Sequence, residues 1–139
     1  MHARDNNMTE AKTILIAVED GVLADSLRFS LELEGFDVEL CDEHSLPGAM
    51  SEAEAPGCLV VDHDVFARML EGKGDHRLAA FGIPIVLMVG HKTERVVAHA
   101  EASGVTKVVE KPLLGGVLLN AITTAINESV PLRRAHRHT

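Results

Sequence analysis

The sequence predicts a single α/β domain in which helices cover both faces of a parallel sheet. Uninterrupted apolar runs at residues 14–18, 58–61 and 83–89 are typical of strands that are buried on both faces. Stretches in which apolar residues recur at helical spacing lie between these runs. Because strand-like and helix-like segments alternate, the sequence predicts a doubly wound sheet with right-handed crossovers.

The composition fits one globular domain and limits the classes of partner. The chain has 139 residues, 46% of them hydrophobic, with no Trp or Tyr. The net charge of −8 argues against non-specific nucleic-acid binding. No apolar stretch reaches about 18 residues, the length that indicates a membrane span. Cys41 and Cys58 lie in apolar runs, where reduced thiols pack as small hydrophobic groups. We therefore expect a cytoplasmic domain without membrane or direct nucleic-acid contacts.

The chain divides into three parts by composition. Residues 1–11 are polar and lack periodicity, which predicts a flexible leader. Residues 12–128 form the predicted domain. Residues 129–139 form a basic tail that contains Arg133, Arg134 and Arg137, and we expect it to stay solvated.

The first half of the domain contains three predicted strands. Thr13–Val18 is the first, and Asp20 can cap a following helix at Val22–Glu34, which Gly35 terminates. Leu23, Leu27 and Leu31 share one face of this helix. Residues 36–41 alternate between apolar and polar, as an edge strand does. Residues 45–53 indicate a weak helix, and a central strand then runs to Asp62.

The second half continues the alternation. The predicted elements are a helix at Val65–Phe81, a strand at Ile83–Val89, a helix capped by Thr93 that ends at Ser103 before Gly104, a strand at Val105–Val109, and a last helix at Gly116–Asn127. Five strands therefore alternate with five helices. We expect the flavodoxin-like strand order 2-1-3-4-5.

Asp62 ends the central strand at the sheet edge where α/β folds bind ligands. Two interpretations are open for its carboxylate. It caps the next helix, as Asn or Ser would, or it belongs to a reactive site. Glu19 and Asp20 follow the first strand, and Lys111 follows the fifth. Carboxylates that meet at one edge suit Mg²⁺, and a lysine suits a bound anion, so the set describes a phosphoryl-accepting site.

The chain resembles the receiver domains of two-component response regulators, most of all the FixJ-type, CheY-like receivers, over residues 13–126. The resemblance rests on local phrases: Asp25-Ser26-Leu27-Arg28-Phe29, Pro56-Gly57-Cys58-Leu59-Val60-Val61-Asp62, Gly90-His91 and Glu110-Lys111-Pro112. It implies that Asp62 is the phosphoacceptor and that Glu19 ligates Mg²⁺. It also implies that Lys111 with Pro112 holds the phosphoryl group. The implied partner is a sensor histidine kinase or a phosphotransfer protein.

The sequence departs from the receiver pattern at the metal site. Val18 stands at the first acidic position, so one carboxylate is missing unless a shift of the loop lets Asp20 replace it. The Met-Pro turn that follows the phosphoacceptor in the family is absent from residues 63–68. We therefore expect a weakened Mg²⁺ site formed by Glu19, Asp20 and Asp62.

A second departure concerns the family's switch residues. Val89 stands where receivers have a Thr or Ser that contacts the phosphoryl group, and Val108 replaces the aromatic partner. Valine has no hydroxyl to donate. Two interpretations are open: drift within a working phosphoacceptor, in which β-branched residues simply fill the core, or a domain held in one state.

These observations predict an atypical, stand-alone receiver domain rather than an enzyme. It would accept a phosphoryl group on Asp62 and act through protein–protein contacts; the alternative is a pseudo-receiver that binds partners independently of phosphorylation. We expect no effector domain after the last helix.

The fourth helix and the apolar fifth helix, residues 94–103 and 116–127, indicate a dimer surface or simply a well-buried terminal helix. A flavin is disfavoured because Glu19 and Asp20 would repel its phosphate, and no nucleophile–base pair indicates a hydrolase.

Overall fold

The structure is a computed structural model, and it describes residues 13–42, 44–46, 48–49, 56–71, 82–111, 113 and 116–138. The strands are β1 (Thr13–Ala17), β2 (Asp37–Leu40), β3 (Pro56–Asp62), β4 (Ile85–Val89) and β5 (Lys107–Glu110). The helices are α1 (Gly21–Leu33), α2 (His63–Glu71), α3 (Glu94–Ala102) and α4 (Val117–His138). The five strands are parallel and follow the order β2-β1-β3-β4-β5, which confirms the predicted sheet.

The register brings the carboxyl ends of four strands to one edge of the sheet. Ala17 of β1 is paired with Val61 of β3, and Asp62 is paired with Met88 of β4. Val89 is in turn paired with Glu110 of β5. The residues that follow these strands therefore share one edge.

The core has two layers because successive strand residues point to opposite faces of the sheet. One layer packs against α2 and α3, and its members include Leu15, Leu59, Val61, Leu87, Phe66, Met69 and Ala100. The other packs against α1 and α4, and its members include Ile14, Ile16, Val60, Val86, Leu27, Leu31, Leu118 and Ile122. The buried strand residues are almost entirely aliphatic, which accounts for the low aromatic content of the chain.

The helix ends confirm several predictions from the sequence. Asp20 caps α1, and Thr93 caps α3 through a hydrogen bond that its Oγ1 accepts from the backbone N–H of Val96. Gly35 and Gly104 follow α1 and α3 with φ of 98° and 104°. After α1, the N–H of the residue beyond the glycine donates to the carbonyl of Leu31, which is the Schellman arrangement.

Several boundaries differ from the predictions; β4, for example, begins at Ile85 instead of Ile83. Helix α2 begins at His63 instead of Val65, since Asp62 caps it directly. Strand β5 spans Lys107–Glu110 instead of Val105–Val109. Helix α4 continues beyond Asn127 to His138.

Some predicted segments lie outside the residues that the structure describes. These are residues 1–11, Pro112 and the end of the predicted third helix, which includes Gly72 and Gly74. Of the predicted helix at residues 45–53, the described part includes Leu46, Gly48 and Ala49, and these three are helical. No helix in the described ranges is both long and apolar enough to cross a membrane.

Candidate functional site

Asp62 is the buried charged residue at the carboxyl edge of the sheet. Its side chain is 5% exposed, and it is the only buried charged side chain among the residues that the structure describes. Its Oδ1 accepts hydrogen bonds from the backbone N–H groups of Asp64 at 2.9 Å and Val65 at 3.2 Å. These are the hydrogen bonds of a helix N-cap. The capping interpretation of Asp62 is therefore confirmed, and the phosphoacceptor interpretation stays a prediction.

The cap explains why α2 starts directly at the end of β3. The first N–H groups of a helix have no partner within the helix, and Oδ1 satisfies two of them. The carboxylate also lies at the positive end of the helix dipole. Within the described part of the chain, no group donates to Oδ2 of Asp62. One oxygen thus caps the helix, and the other has no donor within the described part of the chain.

A shallow cavity of about 290 Å³ opens beside Asp62 at this edge. Its lining residues are Asp62, His63, Asp64, Val89, Gly90, His91, Val96 and Lys111. The backbone N–H of Lys111 donates to the carbonyl of Val89 at 2.8 Å, which extends the pairing of β5 with β4. The fold therefore brings Asp62 and Lys111 to one cavity, as predicted. No ion pair within 4.0 Å joins them among the described side chains.

Glu19 and Asp20 have structural partners of their own. Oε1 of the exposed Glu19 lies 3.5 Å from Nη1 of Arg68 on α2. Oδ1 of Asp20 accepts from the N–H groups of Val22 at 3.0 Å and Leu23 at 3.2 Å, which caps α1. Neither residue lines the cavity at Asp62. The predicted gathering of three carboxylates around that cavity is absent.

The described donors do not fit a Mg²⁺ site. Mg²⁺ binds through several oxygen ligands in a near-octahedral arrangement. Val18 offers no ligand and is nearly buried, Glu19 is paired with Arg68, and Oδ1 of Asp20 is used by α1. Across the described ranges, no three His, Cys, Asp or Glu side chains are placed to hold a metal ion together.

Capping by strand-end aspartates is a general feature of this edge. Asp42, which follows β2, accepts on Oδ1 from the N–H groups of His44 at 2.9 Å and Ser45 at 2.8 Å. The backbone hydrogen bond from Ser45 is the main cause that lowers the pKa of Asp42. Asp20, Asp42 and Asp62 thus each cap the segment after a strand. Asp42 was not predicted as a capping residue, although its place directly after a predicted strand was the available signal.

Glu110, at the end of β5, fixes the loop between β4 and α3. Its Oε2 accepts from the backbone N–H of Lys92 at 3.0 Å and lies 3.8 Å from Nδ1 of His91. The carboxylate therefore holds one wall of the cavity at Asp62 in place.

Val89 and Val108 lie in one layer of the core. They are 2% and 8% exposed, and they pack in the layer beneath α2 and α3 with Ala100 and Val105. Both are simply good core residues in this environment.

An exposed apolar surface lies on α1, where sequence analysis found only the buried face. Val22, Phe29 and Leu33 are 81%, 65% and 71% exposed. Val117 on α4, at 43%, is the other large exposed hydrophobic residue in the described ranges. The signal for the α1 surface was present in the sequence, because this helix has apolar residues on two faces. The fourth-and-fifth-helix dimer surface stays a prediction.

Several of the solved structures that are similar to this chain are receiver domains. A CheY-like response regulator receiver domain protein from Methanospirillum hungatei has a TM-score of 0.69 at 20% identity, over 87% of this chain and 98% of that one. A response regulator receiver domain protein from Clostridium thermocellum gives 0.69 at 19%, with the same coverage. FixJ-N gives 0.66 at 24%, over 84% of this chain and 94% of its own.

This chain has the receiver fold. The parallel five-stranded sheet and its strand order agree with that fold. No protein-family model matches the sequence, and no curated protein is significantly similar to it.

Proposed function

We propose that this receiver-fold chain is a signalling domain that binds protein partners without phosphorylation of Asp62. The observation that carries the proposal is the hydrogen bonding of Asp62, whose Oδ1 caps α2 through two backbone N–H groups. The carboxylate has a structural role that accounts for its position at the end of β3.

The surroundings of Asp62 support this proposal. An aspartate that accepts a phosphoryl group must attack phosphorus, and cations must offset the charge that develops. The hydrogen bonds to Oδ1 reduce the electron density that the carboxylate offers to an electrophile. Glu19 is paired with Arg68, and Val18 cannot contribute a ligand. The charges of a phosphoryl-transfer site are therefore incompletely assembled.

The buried valines Val89 and Val108 also support a function that does not use phosphorylation of Asp62. In the receivers that this chain resembles, a Thr or Ser hydroxyl and an aromatic ring relay phosphorylation to the surface. Val89 has no hydroxyl, and Val108 has no ring. Both are packed in the core, so a phosphoryl group at Asp62 would find no such relay. Partner binding would then depend on a surface that phosphorylation does not change.

A phosphoacceptor is the second candidate, because Asp62 and Lys111 line one cavity. Oδ2 of Asp62 would attack the phosphorus of a phosphohistidine on a kinase or phosphotransfer protein, and the P–N bond would break. The Lys111 ammonium would offset the charge of the transferred group. This candidate accounts for the cavity, but it leaves the paired Glu19 and the two valines without a role.

Phosphorylation by small donors separates the two candidates. The protein is incubated with acetyl phosphate or phosphoramidate and Mg²⁺, and its intact mass is followed. The Asp62→Asn variant is the matched control, since Asn keeps the cap. The proposal predicts that neither protein gains mass. A mass increase of one phosphoryl group in the wild type alone would favour the phosphoacceptor.

We further propose that the protein is cytoplasmic and is not an enzyme. We also propose that its domain comprises residues 12–128. In the second candidate, its partner is a sensor histidine kinase or a phosphotransfer protein. In the first candidate, the partner recognises a surface of the receiver fold that does not change with phosphorylation.

A further inference from the structure

An apolar groove lies between α1 and the start of α4, on the face of the sheet opposite α2 and α3. We call it the leucine groove, since leucines of both segments line it: Leu23, Leu27, Leu31, Leu113, Leu118 and Leu119. Its volume is about 490 Å³, which lies within the range of about 300–1,000 Å³ that small-molecule sites occupy. A ligand of the leucine groove therefore needs a large hydrocarbon part.

The leucine groove is long and open on one side. Helix α1 lines it from Leu23 to Glu34, a distance of about 16 Å at the rise of an α-helix, which an unbranched chain of about twelve carbons spans. Leu27, Leu31 and Leu118 are buried and form its floor, whereas Ser30 is exposed at its rim. A linear hydrocarbon chain can therefore lie along the floor of the groove.

Opposite charges lie at the two ends of the leucine groove. Lys111 follows β5 at the carboxyl edge of the sheet, where α1 begins, and it lines the groove there. Glu34 also lines the groove, and it follows α1 at the opposite edge, just before β2. The two ends of a bound molecule would therefore meet charges of opposite sign.

The ammonium group of Lys111 has no protein partner in the described part of the chain. Lys111 is partly buried, and its side chain makes no hydrogen bond or ion pair with a described residue. A partly buried cation without a partner favours the binding of an anion. The carboxylate of Glu34 disfavours an anion at the other end of the groove.

We propose that the leucine groove binds a fatty acid of about twelve carbons, with its carboxylate at Lys111 and its alkyl chain directed toward Glu34. One ammonium group balances the single negative charge of a carboxylate. A phosphate ester carries a charge of about −1.5 to −2, which the groove, with Lys111 as the basic residue among its described lining, would not balance. The leucines cover the alkyl chain, and each methylene group that they remove from water adds to the affinity.

Lys111 belongs to two cavities, because it also lines the cavity at Asp62. A fatty acid that binds its ammonium group would occupy the cation that a phosphoryl group on Asp62 would need. The proposed site does not rest on the proposed function, since no phosphoryl donor enters its test and Asp62 does not line the groove.

A two-dimensional ¹H–¹⁵N NMR titration of the full chain with dodecanoate tests the site. Dodecanoate is added up to about 1 mM, and we expect a Kd on the order of 100 μM, with saturable shifts of the Ser26, Ser30 and Lys111 amides. Octanoate should bind about tenfold more weakly or worse, because its shorter chain leaves part of the groove uncovered. Dodecyltrimethylammonium has the same chain with a cationic head, and it should also bind at least about tenfold more weakly.

Two substitutions test the residues of the leucine groove. Lys111→Met keeps an apolar stem without the charge, and it should weaken dodecanoate binding by about tenfold. Lys92→Met is the matched control, because Lys92 is an exposed lysine at the same edge that does not line the groove; it should bind within about twofold of the wild type. Ser30→Phe places a ring over the groove from its exposed rim, and it should weaken binding by about tenfold or more. Circular dichroism verifies that the variants are folded.

A dicarboxylic acid tests the direction of the chain. Dodecanedioate would place its second carboxylate beside Glu34, so the wild type should bind it more weakly than dodecanoate. Glu34→Gln should strengthen the binding of dodecanedioate by about threefold and leave that of dodecanoate within about twofold.

Four results would overturn the inference. They are the absence of saturable shifts with dodecanoate; equal binding of dodecanoate and dodecyltrimethylammonium, which would indicate hydrophobic adsorption without recognition of the head; equal effects of Lys111→Met and Lys92→Met; and a Glu34→Gln variant that strengthens both acids equally, which would contradict the direction of the chain.

Discussion

Replacement of Asp62 separates a helix cap from a reactive carboxylate by the sign of its effect on stability. As a cap, Asp62 accepts two backbone hydrogen bonds at 2.9 and 3.2 Å, so Asp62→Ala leaves both N–H groups without that acceptor. Asp62→Asn keeps an acceptor oxygen of similar capping strength. In a cluster of repelling carboxylates, either change would relieve the repulsion and stabilise the fold.

The structure sets the size of the expected effect. The donors that lose their partner belong to Asp64, which is exposed, and Val65, which is 2% exposed, so water has little access to one of the two N–H groups. A lost cap costs about 0.5–2 kcal/mol, and buried unpaired donors cost about 1–3 kcal/mol each. We expect Asp62→Ala to lower the free energy of unfolding by about 2 kcal/mol. Asp62→Asn loses only the interaction of its charge with the helix dipole, about 0.5–1 kcal/mol.

Urea denaturation followed by circular dichroism measures these differences. Asp20→Ala and Asp20→Asn are the matched pair, because Asp20 makes the same two hydrogen bonds at the exposed start of α1. Water can replace the cap there, so Asp20→Ala should cost about 1 kcal/mol. If Asp62→Asn proved more stable than the wild type, or if Asp62→Ala cost nothing, the capping account would be wrong.

Three further predictions concern other residues. Val89→Thr places a hydroxyl at a site that is 2% exposed. We expect it to lower the free energy of unfolding by about 1–2 kcal/mol, measured by urea denaturation. An unchanged free energy would mean that the hydroxyl finds a hydrogen-bond partner. Gly35→Ala forces a side chain into a backbone with φ of 98°, which should cost about 1 kcal/mol; an unchanged unfolding midpoint would contradict the observed end of α1. Burial is the main cause that raises the pKa of the Cys41 and Cys58 thiols from 9.0 to about 12. The stability linked to these thiols is therefore complete below pH 9.0 and lost as pH rises toward 12. Iodoacetamide at about pH 8 should label them much faster in urea than in the folded protein, and equal rates would contradict their burial.

Much of the fold could be predicted because local signals agreed with the global pattern. The apolar runs of β1, β3 and β4 are buried on both faces, and their order follows from the alternation with helices. Asp20, Thr93 and the glycines after α1 and α3 were predicted as helix boundaries, and the structure confirms each of them.

The role of Asp62 could not be predicted because it depends on where the next helix begins. A start at Val65 would have left the carboxylate free of the helix, whereas the observed start at His63 makes it the cap. A difference of this size lies within the usual uncertainty of helix ends. The pairing of Glu19 with Arg68 joins residues far apart in sequence, so periodicity gave no signal of it.

The exposed apolar residues of α1 were missed for a different reason. The face with Leu23, Leu27 and Leu31 already accounts for the helical spacing of apolar residues. Phe29 and Leu33 belong to a second set on the same helix, and only their exposure in the folded chain distinguishes the two sets.

The most direct test of the proposed function is a two-dimensional ¹H–¹⁵N NMR titration with beryllofluoride, which imitates an acyl phosphate on aspartate. The protein is titrated in the presence of Mg²⁺, and the amide signals of Asp64, Val65 and Lys111 are followed. If Asp62 serves the helix and accepts no phosphoryl group, these signals stay in place. Saturable shifts of the three amides that vanish in Asp62→Asn would show a working phosphoacceptor and contradict the account.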